Sequence, residues 1–229
     1  PVNESLNADL DAMRTAVRSD TNMIYLVNPN NPVPSVIEKN VMREFVLEMS
    51  KNYLVFIDEA YHEYVEDPNY SSMLELVAAG YKNIIVSRTA SKIHGLAGLR
   101  IGFGYSHPDI VHEMSWRKTG DTHVLGLEAA HASYLDLEFQ NFSIRKNKES
   151  RAIVENMCEQ LRLRYIKSNT NFMFIQTGMK NSFVQAKMNE VGILTGRDFP
   201  PYHTSWTRIS MSKPEEMEYF VQVYERLFG

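Results

Sequence analysis

Short apolar segments alternate with helix-like segments over the first two thirds of the chain, and this alternation constrains the fold more than any other feature. The apolar segments are residues 22–27, 53–58, 83–88 and 99–106. The first three contain at least three consecutive apolar residues instead of a strict alternation with polar ones, which is typical of strands that are buried on both faces. The sequence therefore predicts an α/β fold with a mostly parallel sheet covered by helices.

Helical periodicity fills the intervals between these strands and dominates the last third of the chain. Helices are predicted at residues 9–18, at 36–51 with Ser35 as N-cap, in a short stretch ending at Gly80, and at 124–137, 142–164 and 214–228. Further strands are predicted at residues 171–176, 192–195 and 207–211. We therefore expect a large domain at residues 1–139 and a small C-terminal α+β domain at residues 140–229.

Composition excludes several classes of protein. The 229 residues carry a net charge of −4, without the basic excess that a nucleic-acid surface needs. No run of about eighteen apolar residues predicts a membrane-spanning helix. The single cysteine excludes an internal disulfide or a cysteine-based zinc site, and no other metal pattern is present. We expect a cytoplasmic protein, with any targeting signal upstream of Pro1 outside this sequence.

Polar and charged residues follow the predicted strands. Asp58 ends the second strand and Tyr61 comes shortly after it. The third strand leads into Thr89 and Lys92, and Arg100 follows after a glycine-containing turn. Ligands of parallel sheets bind at the carboxyl ends of the strands, so these side chains are expected to converge at one edge of the sheet.

Together these segments resemble the class I/II aminotransferases of fold type I, which use pyridoxal 5′-phosphate (PLP). The similar segments are NPNNP at 28–32, DEAYHEY at 58–64, SRTASKIHGLAGLRIGFG at 87–104, GILTGRDF at 192–199 and WTRISM at 206–211. Among these enzymes the chain is most similar to the histidinol-phosphate aminotransferase branch. The resemblance covers nearly the whole chain and implies the PLP-binding large domain of these transferases.

The resemblance implies a role for each residue that would face the cofactor ring. Lys92 would form an imine with the cofactor aldehyde and later carry the substrate proton. Asp58 would face the pyridine nitrogen and keep it protonated, which makes the ring an electron sink. Tyr61 and Asn31 would hydrogen-bond the oxygen at the ring's 3′ position.

Four further residues would bind anionic groups. The resemblance implies that Arg100 and Thr89 hold the cofactor phosphate, through a planar guanidinium and a hydroxyl. Arg208 would clamp the substrate α-carboxylate in the same two-pronged way. Arg197 matches a family position that contacts the far end of the substrate.

The function implied is transfer of an amino group between a small-molecule donor and a 2-oxo acid by a homodimer. The donor would be an amino acid or a phosphorylated amino alcohol. Two alternatives remain open at this point. The same residues serve decarboxylases and lyases of fold type I, including the threonine-phosphate decarboxylases, and an inactive fragment would also keep them.

The chain also departs from the family pattern. Val33-Pro34-Ser35 replaces a Thr-Gly-Thr sequence after NPNNP, and Pro34 fixes φ where glycine would leave it free. The stretch after Trp116 differs from the branch's usual sequence, which argues against assuming histidinol phosphate as the substrate. The family has more chain before the point matching residue 8, so we expect a large domain that is incomplete on its N-terminal side.

Overall fold

The computed structural model describes every residue from Pro1 to Gly229, and the chain forms two compact units. Unit 1 comprises Pro1–Asn30 and Val36–Gln140, and unit 2 comprises Asn31–Ser35 and Asn141–Gly229. The domain limits predicted from the sequence, 1–139 and 140–229, stay a prediction, because compactness does not show that a unit folds independently.

Unit 1 contains a four-stranded sheet in the order β1-β2-β3-β4. Its strands are β1 (Met23–Val27), β2 (Leu54–Asp58), β3 (Ile84–Thr89) and β4 (Gly102–Ser106). The first three strands are parallel, and β4 runs antiparallel to β3. The predicted mostly parallel sheet is thus confirmed. The last pairing reverses because no α-helix connects β3 to β4, and a parallel crossover usually needs one.

Five helices belong wholly to unit 1: α1 (Leu10–Ala16), α2 (Lys39–Met49), α3 (Leu74–Ala78), α4 (Pro108–Trp116) and α5 (Val124–Leu135). The apolar face of α2 packs into the main core, where Met42, Phe45 and Val46 are fully buried with Val55 and Ile57 of β2. Burial of such side chains is the main favourable contribution to folding. The core therefore fixes the strand β2 that ends in Asp58.

The start of α2 differs from the prediction. The helix begins at Lys39, and Glu38 is its N-cap, not Ser35. The Glu38 carboxylate accepts the N–H groups of Val41 and Asn40, both at 3.0 Å, and these bonds lower the pKa of Glu38. A carboxylate also interacts favourably with the positive end of the helix dipole. These two effects explain the later start.

Unit 2 contains a three-stranded antiparallel sheet in the order β5-β6-β7. Its strands are β5 (Arg164–Ile166), β6 (Phe172–Gln176) and β7 (Trp206–Ser210). Its helices are α7 (Asn181–Asn189), α8 (Pro214–Phe228) and, from Asn141 onward, α6 (Leu137–Gln160). Buried residues of α6, α7, α8 and the sheet share one apolar core. In the whole chain, no helix is both long enough and apolar enough to cross a bilayer.

Residues 192–195 do not form the predicted strand. They belong to a loop that follows α7, where Gly192 has a φ of +79° and the N–H of Ile193 bonds to the carbonyl of Met188. This is a helix C-terminal cap, for which glycine is the preferred residue. Leu194 is 84% exposed, so the apolar residues of this segment do not form a buried strand.

Candidate active site

Asp58 lies at the carboxyl end of β2, with both carboxylate oxygens engaged. Its Oδ1 accepts the backbone N–H of Ala60 at 3.0 Å, and its Oδ2 accepts the hydroxyl of Tyr25 at 3.0 Å. The Tyr25 ring stacks on Phe56 of the same sheet, with centroids 5.2 Å apart. The carboxylate orientation is therefore fixed from two sides.

Sequence reasoning missed Tyr25, although strand parity could have found it. Val27 of β1 is the register partner of Asp58, and Tyr25 lies two residues earlier on the same face. Burial raises the pKa of Tyr25 to about 12, and the charge of Asp58 and the hydrogen bond to it act in the same direction. The phenol therefore stays protonated and donates at any physiological pH.

Lys92 lies on the loop after β3, and its ammonium faces the ring of Tyr61. The distance from Lys92 Nζ to the ring centroid is 5.0 Å, and the Tyr61 side chain is buried. Such a cation–π contact is attractive and holds the Lys92 side chain against the Tyr61 ring. The structure thus brings together two residues that the sequence analysis assigned to one site.

The backbone that follows Lys92 is anchored through two of its residues. The Lys92 carbonyl accepts the N–H of Gly95, which has a φ of +68° that favours glycine. His94 is buried, stacks on Tyr134 at 4.0 Å and lies with its Nδ1 2.9 Å from the Ser133 hydroxyl. A reactive amine needs this kind of rigid support.

Thr89 and Arg100 differ in how firmly they are held. The Thr89 hydroxyl oxygen accepts the N–H of Ser91 at 3.1 Å and lies 3.4 Å from the carbonyl of Ile101. Arg100 has a φ of +55° in the turn before β4, not in the strand predicted at 99–106. Its exposed guanidinium bonds the carbonyl of Ala97 at 2.8 Å and remains accessible to an anion.

A buried ion pair joins Glu59, the residue directly after β2, to Arg88 of β3. The Glu59 side chain is 1% exposed, and its carboxylate accepts hydrogen bonds from Arg88 Nη2 at 2.7 Å and from Arg88 Nε at 2.9 Å. It also accepts the Ser72 hydroxyl at 2.6 Å and the Met73 N–H at 2.8 Å. Burial raises the pKa of Glu59, and the Arg88 charge opposes this. The sequence analysis did not single out either residue, although each adjoins a predicted site residue.

Arg208 and Asn31 meet within unit 2. Arg208 lies on β7, in a strand as predicted, and its Nη1 donates to the Asn31 side-chain oxygen at 3.2 Å. Its guanidinium also stacks on the rings of Phe172 and Phe199, at 4.8 and 5.0 Å. Asn31 therefore lies beside Arg208 in unit 2, and its contact with the ring oxygen of the cofactor stays a prediction.

Arg197 lies in the exposed loop between α7 and β7 of unit 2. Its guanidinium is 5.1 Å from the centroid of Phe199, the ring that Arg208 also contacts. Guanidinium groups stacked on aromatic rings keep their hydrogen-bond donors free for carboxylates or phosphates. Two such cations on one ring are suited to a ligand with two anionic groups.

The side chains of unit 1 provide a distinct set of chemical functions. They include a fixed carboxylate, a partly buried amine, a buried phenol, a hydroxyl and a guanidinium, supplied by Asp58, Lys92, Tyr61, Thr89 and Arg100. An amine can bond covalently to an aldehyde, and a carboxylate can accept a hydrogen bond from a protonated ring nitrogen. No group of three or more His, Cys, Asp or Glu side chains could hold a metal ion.

Comparison with known sequences gives a consistent result. The family model for aminotransferase class I and II matches residues 1–223. The histidinol-phosphate aminotransferase 1 of Nitrosococcus oceani is 34% identical over 222 residues, which cover 95% of this chain and 59% of that protein. The chain spans about three fifths of the length of the curated relatives it matches.

Two solved structures share the fold. A protein from Erwinia carotovora atroseptica, provisionally assigned as a histidinol-phosphate aminotransferase, is 34% identical with a TM-score of 0.95. The alignment covers 99% of this chain and 66% of that one. The histidinol-phosphate aminotransferase from Sinorhizobium meliloti, in complex with pyridoxal-5′-phosphate, is 25% identical with a TM-score of 0.86, covering 99% and 64%.

Proposed function

The chain belongs to the class I and II aminotransferases, and from this premise we propose that it transfers an amino group between a donor and a 2-oxo acid with PLP as cofactor. The donor is an amino acid or a phosphorylated amino alcohol. The observation that carries the proposal is the Lys92 amine, which faces Tyr61 on the loop after β3, next to the strand β2 that ends in a fixed Asp58.

The donor set of unit 1 fits PLP. When bound, the cofactor supplies an aldehyde that links to an amine and a ring that withdraws electrons. Asp58 would accept a hydrogen bond from the pyridine N–H, and Tyr61 would donate one to the ring oxygen. Thr89 and the accessible guanidinium of Arg100 would bind the phosphate.

Lys92 has two tasks in this proposal. Its amine would hold the cofactor through the cofactor's aldehyde. The same amine would serve as the base for the proton on the substrate Cα. The ring of Tyr61 and the anchored backbone restrict where Nζ can move, which supports proton transfer by a short path.

We assign the substrate anions to unit 2. Arg208 binds the α-carboxylate, since its guanidinium is oriented by the Asn31 oxygen and by stacking on two aromatic rings. Arg197 binds the far end of donors that carry a second negative charge. A carboxylate held in this way leaves the Cα–H bond, not the Cα–carboxylate bond, to be broken, which favours transamination over decarboxylation.

Cofactor binding tests the proposal directly. Adding PLP should produce a visible absorbance band, and borohydride should then attach the cofactor to Lys92, as identified by peptide mapping. The band should disappear in Lys92→Ala and persist in Lys118→Ala, which removes an exposed lysine. Labelling of another lysine would overturn the assignment.

Turnover should then be measured with a panel of amino donors and 2-oxoglutarate. The panel includes histidinol phosphate because the relatives carry that name, although the stretch after Trp116 departs from their pattern. Release of CO₂ from the donor, without formation of glutamate, would instead identify a decarboxylase.

A further inference from the structure

The loop that carries Arg197 is tied to the backbone of β7. The N–H of Gly196 donates to the carbonyl of Arg208 at 2.9 Å. A Cβ atom at position 196 would lie 2.5 Å from that carbonyl oxygen, so only glycine allows this approach. Gly196, the residue before Arg197, is therefore held at a fixed position beside the backbone of Arg208.

Asn181, the first residue of α7, holds the same loop from the other side. Its side chain is 1% exposed, and its Nδ2 donates to the Gly196 carbonyl at 3.1 Å and to Asp198 Oδ1 at 2.8 Å. Both neighbours of Arg197 are thus bound by one amide. The reverse orientation of the amide would bring its oxygen against two other oxygens, so the observed orientation is the stable one.

Gln185 binds only one of the two residues that Asn181 binds. It lies one turn further along α7 and donates to the Gly196 carbonyl at 2.7 Å. Gln185 therefore duplicates the bond of Asn181 to the Gly196 carbonyl, but it makes no bond to Asp198. This difference provides a matched control.

We propose that Asn181 is a positioning residue that fixes Arg197 relative to Arg208, and so sets the preference for donors with a second anionic group. The inference rests on the proposed function. Two guanidinium groups on one ring, that of Phe199, bind a doubly anionic donor well only at a set separation. Asn181 maintains that separation through Asp198.

The test compares L-glutamate with L-glutamine, which have nearly the same shape but differ in the charge of the far end. Asn181→Ala should lower kcat/KM for glutamate about tenfold or more and change the value for glutamine less than about threefold. Gln185→Ala should leave the ratio between the two donors nearly unchanged. A uniform loss in Asn181→Ala, or the same selective loss in Gln185→Ala, would overturn the proposal.

Position 198 gives a second set of variants in case Asn181→Ala does not fold. Asp198→Ala should reproduce the selective loss, whereas Asp198→Asn keeps an acceptor oxygen and should retain the preference for glutamate. The double variant Asn181→Ala/Asp198→Ala should be no worse than Asp198→Ala, because both changes remove the Asn181–Asp198 bond and Gln185 still holds the Gly196 carbonyl. Additive losses in the double variant would contradict the inference.

A measurement independent of activity separates this inference from the proposed function. The Nε–H proton of Arg197 should show a ring-current shift from Phe199 in NMR spectra of the wild-type protein. The shift should disappear in Asn181→Ala and persist in Gln185→Ala. If the wild-type protein transfers no amino group but the shift behaves as stated, the proposed function fails while the positioning role of Asn181 stands. An unchanged shift in Asn181→Ala overturns the positioning role.

Discussion

Tyr25 is the residue on which the orientation of Asp58 depends, since Ala60 holds only one of the two carboxylate oxygens. We predict that Tyr25→Phe, which keeps the ring stacked on Phe56, lowers kcat about tenfold with little change in KM. This is the size expected for losing a hydrogen bond to a charged group. Steady-state kinetics of this variant, with Tyr53→Phe as the control, checks the prediction. An unchanged kcat would mean that the Ala60 N–H alone is enough to orient the Asp58 carboxylate.

Arg208 and Arg197 should respond differently to substitution. Arg208→Lys should cost about 2–4 kcal/mol in transition-state binding for every amino-acid donor, as for a buried charge pair that loses its geometry. Arg197→Ala should mainly impair donors with an acidic or phosphate-bearing far end. The values of kcat/KM across a donor panel check both, and the opposite pattern would show that the two roles are reversed.

At the scale of elements, the ends of β2 and β3 are joined by the Glu59–Arg88 pair. Glu59→Gln should lower the free energy of unfolding by about 3 kcal/mol, because buried Arg88 is left with the Ser72 hydroxyl and with Glu63, 3.8 Å away, as its remaining carboxylate. Glu75→Gln, which breaks an exposed pair with Arg43, should cost no more than about 1 kcal/mol. Urea unfolding measures the free energy of unfolding of both variants. Equal losses would show that the buried pair stabilises the fold no more than the exposed pair does.

The sequence predicted the elements that have a strong apolar signal. The parallel strands of unit 1 could be predicted because each contains a run of three or more apolar residues that is followed by polar ones. Helix α7 was missed because it is short and follows Lys180, which makes no side-chain cap. Strand β5 was missed because the helical pattern before it was extended to residue 164.

The candidate site was predictable only in part, for a similar reason. Residues at strand ends, such as Asp58 and Lys92, stand out by position. Tyr25 and Asn181 act through partners distant in sequence, and a single sequence does not show such pairings. The side-chain contacts of Arg208 with Asn31 and Phe172 likewise depend on packing that no local pattern encodes.

At the scale of the whole molecule, stability should depend on pH through His62. Burial and the nearby Arg88 charge lower the pKa of His62 from 6.5 to about 4, so the folded protein keeps it neutral. Because the unfolded chain binds this proton more readily, the free energy of unfolding should fall by about 2–3 kcal/mol as the pH drops from 6.5 to 4. His62→Gln should flatten this part of the profile, measured by urea unfolding.

Assembly is the second property at this scale. We predict that the full-length protein is a cytoplasmic homodimer, as the family resemblance implies. The apolar side chains that α4 and α5 leave exposed support an interface, among them Trp116 at 78% and Leu125 at 72%. Sedimentation of the full-length protein checks the prediction, and an active monomer would refute it.

The placement of Asn31–Ser35 in unit 2 affects how this gene can be divided. A fragment that starts at Asn141 lacks the Asn31 oxygen that orients Arg208 and the Pro34 carbonyl that accepts the N–H of Asn169. No single cut therefore yields a whole unit 2, and a fragment would need this pentapeptide supplied in trans or grafted back. A single crossover in recombination would likewise separate residues 31–35 from the rest of unit 2. We therefore expect exchange between related genes to keep both segments of unit 2 from the same parent.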